Sequence, residues 1–283
     1  MKTNAYFREQ RIQAGIRYGL MSLWALLTLS PLWILLVNSF KSQTQIVDNP
    51  IAPPEQLNFQ YISNAIVQLQ FLKSISFTLL ITVFAVLLIV LLSSMSAWIM
   101  VRSKVKVAGV IFMAFVAAML IPFQAIMYPL IQWFDAIGLK NLGGLILMYG
   151  GFGLSMSVFL YHGFVKSVPL EVEEAAFIDG AHIFQMFFMI VMPLLKSITV
   201  TVIIINAMWI WNDYLLPFLV IGNSENKTLV LSLYFAQILA GQFGNPWQLI
   251  FPAVLVTITP IVIVFLFLQK FIVKGISAGA VKG

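Results

Sequence analysis

Six long apolar runs, separated by short polar stretches, organise the chain, at residues 18–37, 75–100, 108–129, 145–165, 198–220 and 249–271. A bilayer core about 30 Å thick takes roughly 20 residues of helix. Inside lipid a backbone must pair its own N–H and C=O groups, so runs of this length predict spanning helices. Strands of a transmembrane barrel would be shorter and would alternate. The pattern therefore predicts an all-α polytopic membrane protein with six transmembrane helices.

Between these runs the polar segments differ in character. The connection over residues 38–74 carries Pro50, Pro53 and Pro54 and then a mixed stretch over 56–71, which predicts an extended lead-in followed by a short surface helix. The fourth run contains Gly151/Ser155 and Gly153/Ser157, pairs of small residues four apart that let helices approach closely, most simply within the chain. Pro31, Pro122, Pro193, Pro252 and Pro260 lie in or at the ends of runs and favour kinks. Trp133 and Trp247 sit at predicted span ends, as interfacial anchors do. Residues 223–248, with Gly241, Gly244, Asn245 and Pro246, read as a flexible outer linker.

Composition removes the soluble alternatives, since 61% of the 283 residues are hydrophobic and 9% are charged. The first run follows Lys2, Arg8, Arg11 and Arg17, as a secretory signal would. It is too long for a signal and no small-x-small cleavage site follows, so it reads as a retained helix. Six spans divide the basic residues unequally, with twelve Lys and Arg on one side and only Lys41, Lys73, Lys140 and Lys227 on the other. By the positive-inside rule both termini and the loops near residues 104 and 180 face the cytoplasm. The net charge of +6 needs only that asymmetry and anionic lipid, with no nucleic-acid partner. The absence of cysteine excludes disulfides and thiolate metal sites.

Candidate chemistry concentrates in the loop at residues 166–195, where Glu171, Glu173, Glu174 and Asp179 crowd together. Pro169 suits a first helical turn, the acids complement the helix dipole, and Gly180 can supply a left-handed terminus. A helix of about eleven residues results, too short to stand alone in water, so it must lean on another surface. A second short amphipathic stretch, 184–191, leads to Pro193.

Here the residues resemble a known family. Glu174-Ala175-Ala176, then Phe177, Asp179 and Gly180, with an apolar stretch ending at Pro193, resemble the EAA loop of bacterial ABC importer permeases. Trp211-Asn212-Asp213-Tyr214 and the terminal segment 275–283 are similar to the maltose-type carbohydrate branch, in its MalG-like subunit. The resemblance covers essentially the whole chain. Met192 stands where Leu is frequent, and Asp213 where Glu is frequent.

That resemblance implies a type I ABC importer transmembrane-domain fold in the bacterial cytoplasmic (inner) membrane, one permease domain over 1–283, with the coupling loop at 166–195. It implies a second, MalF-like permease, two ATPase subunits, an extracytoplasmic substrate-binding protein and a sugar substrate. No G-x-x-x-x-G-K-[ST] loop is present, so the chain is expected to be non-catalytic and without a cofactor of its own, ATP and Mg being bound by the partner ATPases. Under this reading Ala175, Ala176 and Phe177 fill a groove on the ATPase, Glu174 pairs with a basic group there, Asp179 belongs to the same coupling segment, and Gly180 makes the turn.

Asp213, near Asn206 and Asn212, is the one acid well inside a predicted span, where a charge costs roughly 2.5–3.5 kcal/mol on insertion scales. Together with Asn212 it lines a translocation route, or else it makes a helix–helix hydrogen bond or lies near the outer interface. Gln124 and Trp211 are further candidates for the route. An intramembrane serine protease is disfavoured, because His162 lies about 10 Å along the helix from Ser155 at 1.5 Å per residue. A self-sufficient secondary carrier or channel remains the rival, and it would need more ion-coupling acids within the spans than Asp213 supplies.

Overall fold

The computed structural model describes residues 2–222, 224–241 and 244–280, and every regular element among them is helical. Helices α1 (Lys2–Asn38), α2 (Gln43–Asp48), α3 (Gln60–Gln68) and α4 (Phe71–Arg102) come first. Next are α5 (Lys106–Ala118), α6 (Phe123–Ala136), α7 (Leu142–Val165) and the short α8 (Leu170–Ile178). A segmented stretch follows: α9 (Ile183–Gln185), a π-helical turn at Met186–Val191 and α10 (Met192–Leu194). The remaining helices are α11 (Lys196–Asn212), α12 (Leu215–Ile221), α13 (Leu229–Gly241) and α14 (Trp247–Ala280).

Four helical stretches are long and apolar enough to cross a bilayer unbroken: Gln13–Asn38, Phe71–Arg102, Leu142–Val165 and Trp247–Phe267. Two bent pairs bring the number to six if each counts as one crossing. The third run departs from the expected single helix, because α5 and α6 meet at 104°. Pro122 caps α6 with φ −67° and ψ 138°; it offers no N–H to a continuing helix, and its ring pushes the preceding residue out of the helical region. The fifth run departs twice. The stretch Ile183–Leu194 turns by 79° into α11, and α11 stops at Asn212 because Asp213 is extended, at φ −81° and ψ 129°.

The linker expected over 223–248 contains a helix instead. Residues of α13 bury Leu229 and Leu231, and the Leu229 N–H donates to Thr78 Oγ1 at 2.8 Å. Its glycines lie at and beyond the helix end, and the apolar run ahead of them decides the conformation. Another helix absent from the sequence reading, α2, begins with a capping box between Ser42 and Gln45. The short helix expected within 56–71 is α3.

Two compact units divide the described residues: those up to Leu69 with Ala236–Ile258, and Gln70–Phe235 with those from Thr259 onward. In the first, Trp33 Nε1 donates to the Ile51 carbonyl at 2.9 Å, and Asn38 Nδ2 to the Pro50 carbonyl at 2.8 Å. The Gln43 N–H donates to Gln248 Oε1 at 2.9 Å, fixing the start of α2 to the start of α14.

The second unit is built on α4 packed along α7, with α11 across both. Ile81, Ala85 and Ile89 of α4 meet Leu145, Met148 and Tyr149 of α7, all buried. Close approach depends on Gly153, where a Cβ would overlap Ile89 and lie 2.7 Å from Asn206 Oδ1. Asn206 also donates through Nδ2 to Ser157 Oγ at 3.0 Å. Of the two small-residue pairs, Gly153/Ser157 is thus the packed one. Gly151 faces open space and Ser155 is half-buried, because they lie a quarter turn or more away on α7.

Candidate functional site

The loop helix is defined at both ends by local chemistry. Pro169, extended at φ −58° and ψ 132°, precedes α8, and Glu171 and Glu173 occupy its first turn, where the helix dipole favours anions. At the other end Gly180 takes φ +85°. Its N–H donates to the Phe177 carbonyl at 3.1 Å and that of Ala181 to the Ala176 carbonyl at 3.0 Å, the paired bonds of a Schellman terminus. The helix has nine residues rather than about eleven, because Pro169 and Asp179 stand as caps outside it.

Placement within α8 separates residues that looked equivalent in sequence. Glu174 and Ala175 are exposed, as are Phe177 at 73% and Ile178 at 83%. Ala176, expected to project outward with its neighbours, is buried within the chain, and the most exposed apolar side chains of α8 are Phe177 and Ile178, with Leu170 and Val172 less so. Glu173, three residues before Ala176 on the same face, is buried too, at 5% exposure. Its Oε1 accepts from Arg102 Nη2 at 2.7 Å and Nε at 3.0 Å, and its Oε2 from Trp98 Nε1 at 2.9 Å. In sequence, Glu173 is one of four acids crowded in the loop, and its spacing from Ala176 is the signal that sets it apart.

The second constellation forms where the fifth run breaks. A cavity of about 650 Å³ opens among the starts of α6 and α12, the end of α11 and the middle of α7. Phe123, Phe152, Trp209 and Tyr214 give it aromatic walls, and Gln124, Asn212 and Asp213 give it polar groups. Asp213 holds the break in shape: its Oδ1 accepts from the Leu215 N–H at 2.9 Å, starting α12, and its Oδ2 accepts from the Tyr149 hydroxyl at 2.9 Å. The carboxylate makes the helix–helix bond that one sequence reading expected, and it also lines this cavity. Asn212 turns its amide back to the Met208 carbonyl at 2.7 Å.

Trp211 does not belong to this cavity. It is buried, with an indole N–H that meets no partner among the described residues, while Trp209, two residues earlier, forms the wall. Alternate positions on a helix differ by about 200°, and the sequence offered no means of choosing between two tryptophans. Tyr149, likewise missed, stood in an apolar run with no polar neighbour to mark it. The terminal segment 275–283 extends beyond the described residues, which end at Ala280.

Residues 89–278 match the family described as binding-protein-dependent transport system inner membrane component. The chain is 39% identical over 275 residues, covering 97% of it and 99% of its relative, to a probable starch degradation products transport system permease protein, AmyC, of Thermoanaerobacterium thermosulfurigenes. It is 34% identical, with the same coverage of both chains, to the multiple sugar-binding transport system permease protein MsmG of Streptococcus mutans. Against the melibiose/raffinose/stachyose import permease protein MelC of Bacillus subtilis it is also 34% identical, over 89% of this chain and 91% of that one. Among solved structures, a chain of a bacterial ABC transporter that imports the acidic polysaccharide alginate shares the fold, with a TM-score of 0.81, 21% identity and coverage of 93% and 97%.

Proposed function

This chain belongs to the family of binding-protein-dependent transport system inner membrane components, and from that premise we propose that it is one of two permease subunits in an ATP-driven importer of neutral oligosaccharides. The importer sits in the bacterial cytoplasmic membrane with both termini inside. A second homologous permease, of MalF-like type, completes the path. An extracytoplasmic binding protein delivers the sugar, and two ATPase subunits bind ATP and Mg.

The observation that carries this reading is the projecting end of α8. Phe177 and Ile178 are apolar, largely exposed and set in place by the Gly180 terminus, beside the exposed Glu174. An apolar pair on a capped polar loop suits insertion into a protein groove, and Glu174 suits a basic group at its rim. ATPase closure would move this helix, and the broken third and fifth spans supply segments able to rearrange between inward-facing and outward-facing states.

For the solute, the cavity of about 650 Å³ offers what a pyranose requires. Trp209 and Tyr214 present flat faces for its C–H surface, while Gln124, Asn212 and Asp213 replace hydrogen bonds lost from water. The carboxylate of Asp213 would repel a uronate, which favours neutral sugars such as those named for AmyC and MelC over the acidic polymer of the structural neighbour.

Purification of the chain with its partners, reconstitution in liposomes and uptake of labelled maltotriose and raffinose test the proposal. Uptake that requires ATP and the binding protein supports it. Sugar flux through this chain alone, without ATP, establishes a secondary carrier instead.

A further inference from the structure

Three segments of the second unit meet around Trp98 and Glu173. The last turn of α4 brings Trp98 and Arg102, α8 brings Glu173, and the π-helical turn brings Phe187, whose ring lies 5.5 Å from that of Trp98. Arg102 engages Glu173 through both Nε and Nη2, and the same Nη2 donates to the Val168 carbonyl at 2.9 Å in the lead-in to α8. One guanidinium therefore holds α8 by its side chain and by the backbone just before it. Trp98 takes the other carboxylate oxygen.

Surface ion pairs contribute little, but this one is largely withdrawn from water, with side-chain exposures of 22% for Arg102 and 6% for Glu173. Separating such a pair strands a charge in a poorly solvated place, so the two segments move together or the contact fails altogether. A planar fork donating to one carboxylate also fixes orientation, which a lysine ammonium would not. Apart from its packing on the π-helical turn, α8 is joined to the rest of the chain through turns: residues 166–169 before it and the Gly180 terminus after it. Bending at either turn would dissipate a displacement of α8 before it reached a span.

We propose that Glu173 and Arg102 form a rigid tether through which a displacement of α8 is delivered to the end of α4, making them the positioning pair that couples ATPase closure to movement of the second span. This rests on the importer reading above. Neither residue touches sugar or nucleotide; both act through α4. Glu174, exposed one residue later, faces the partner, and Glu173 faces the chain's own core.

The test uses the assembled importer in liposomes, comparing wild type with Glu173→Gln and Arg102→Lys. Sugar imported per ATP hydrolysed is expected to fall tenfold or more in Glu173→Gln and at least threefold in Arg102→Lys, since both conserve size and lose the charged fork. A wild-type ratio in either assembled variant overturns the tether. Failure of both conservative variants to assemble also overturns it, by showing a pair needed only for folding. The chain contains no cysteine, so nitroxides placed by Lys104→Cys and Glu171→Cys report the spacing of α4's end and α8 directly, whatever the sugar. One narrow distance population with and without ATP is expected, splitting or broadening when Glu173→Gln is added. Identical distributions in both backgrounds overturn the tether, whereas absence of ATP-driven uptake in wild type sinks the importer reading and leaves the spacing measurement to decide the tether alone.

Discussion

The hydroxyl of Tyr149, buried in the middle of α7, donates to Asp213 Oδ2 at 2.9 Å, and the other oxygen of that carboxylate begins α12 through the Leu215 N–H. One side chain thereby joins two helices and shapes the break in the fifth run. Tyr149→Phe removes a donor without changing volume and leaves a partly buried carboxylate short of a partner, at a cost of about 1–3 kcal/mol. The midpoint of thermal unfolding in detergent should fall by several degrees. An unchanged midpoint would mean that the bond contributes nothing to the break.

Gly180 terminates α8 at φ +85°, with no side chain or backbone close to where a Cβ would lie. Space is therefore available and conformation is the constraint. Gly180→Val should place about 1–2 kcal/mol or more of strain in the turn and re-aim Phe177 and Ile178, whereas Gly180→Asn should be much milder. Membrane insertion, measured by immunoblot, should be normal in both. ATP-driven uptake should be lost in the valine variant alone, and full uptake by that variant would refute the role given to the turn.

Gly153 and Gly151 provide a paired control on one helix. Gly153→Leu would drive a side chain into Ile89 and Asn206 and should destabilise the purified chain by about 1–3 kcal/mol or displace α7 from α4. Gly151→Leu meets open space and should leave the unfolding midpoint within about a degree or two of wild type, since its exposed site lies outside the packed seam. Equal effects at the two positions would contradict the packing described.

Trp209 and Trp211 make opposite predictions. Trp209→Ala removes a wall of the cavity and should raise the half-saturation concentration for sugar uptake about tenfold, equivalent to roughly 1.4 kcal/mol of binding. Trp211→Phe removes a buried N–H that meets no partner among the described residues and should leave that concentration within about twofold, with stability equal or greater. The reverse pattern in uptake kinetics would move the sugar route to the other face of α11.

Apolar run length and Lys/Arg placement in the sequence determined that the chain is a helical membrane protein, because the bilayer demands about 20 apolar residues per crossing and an internally bonded backbone. The sequence also determined the short loop helix and its end, because Gly180 and the acids act on the backbone within one or two turns of themselves. Tertiary structure alone decided the rest. Pro122 marked a kink in the sequence, but only the fold shows that the bend there reaches 104° and that the helix stops at Asp213, across which hydropathy ran unbroken. The motif singled out Glu174 but did not show that Glu173 turns inward, and nothing in the sequence chose between Trp209 and Trp211, which share their residue type and differ only in the direction the helix turns them. What the inward members meet, Arg102 and Trp98 some seventy residues before Glu173, is a property of packing between segments that no local pattern records.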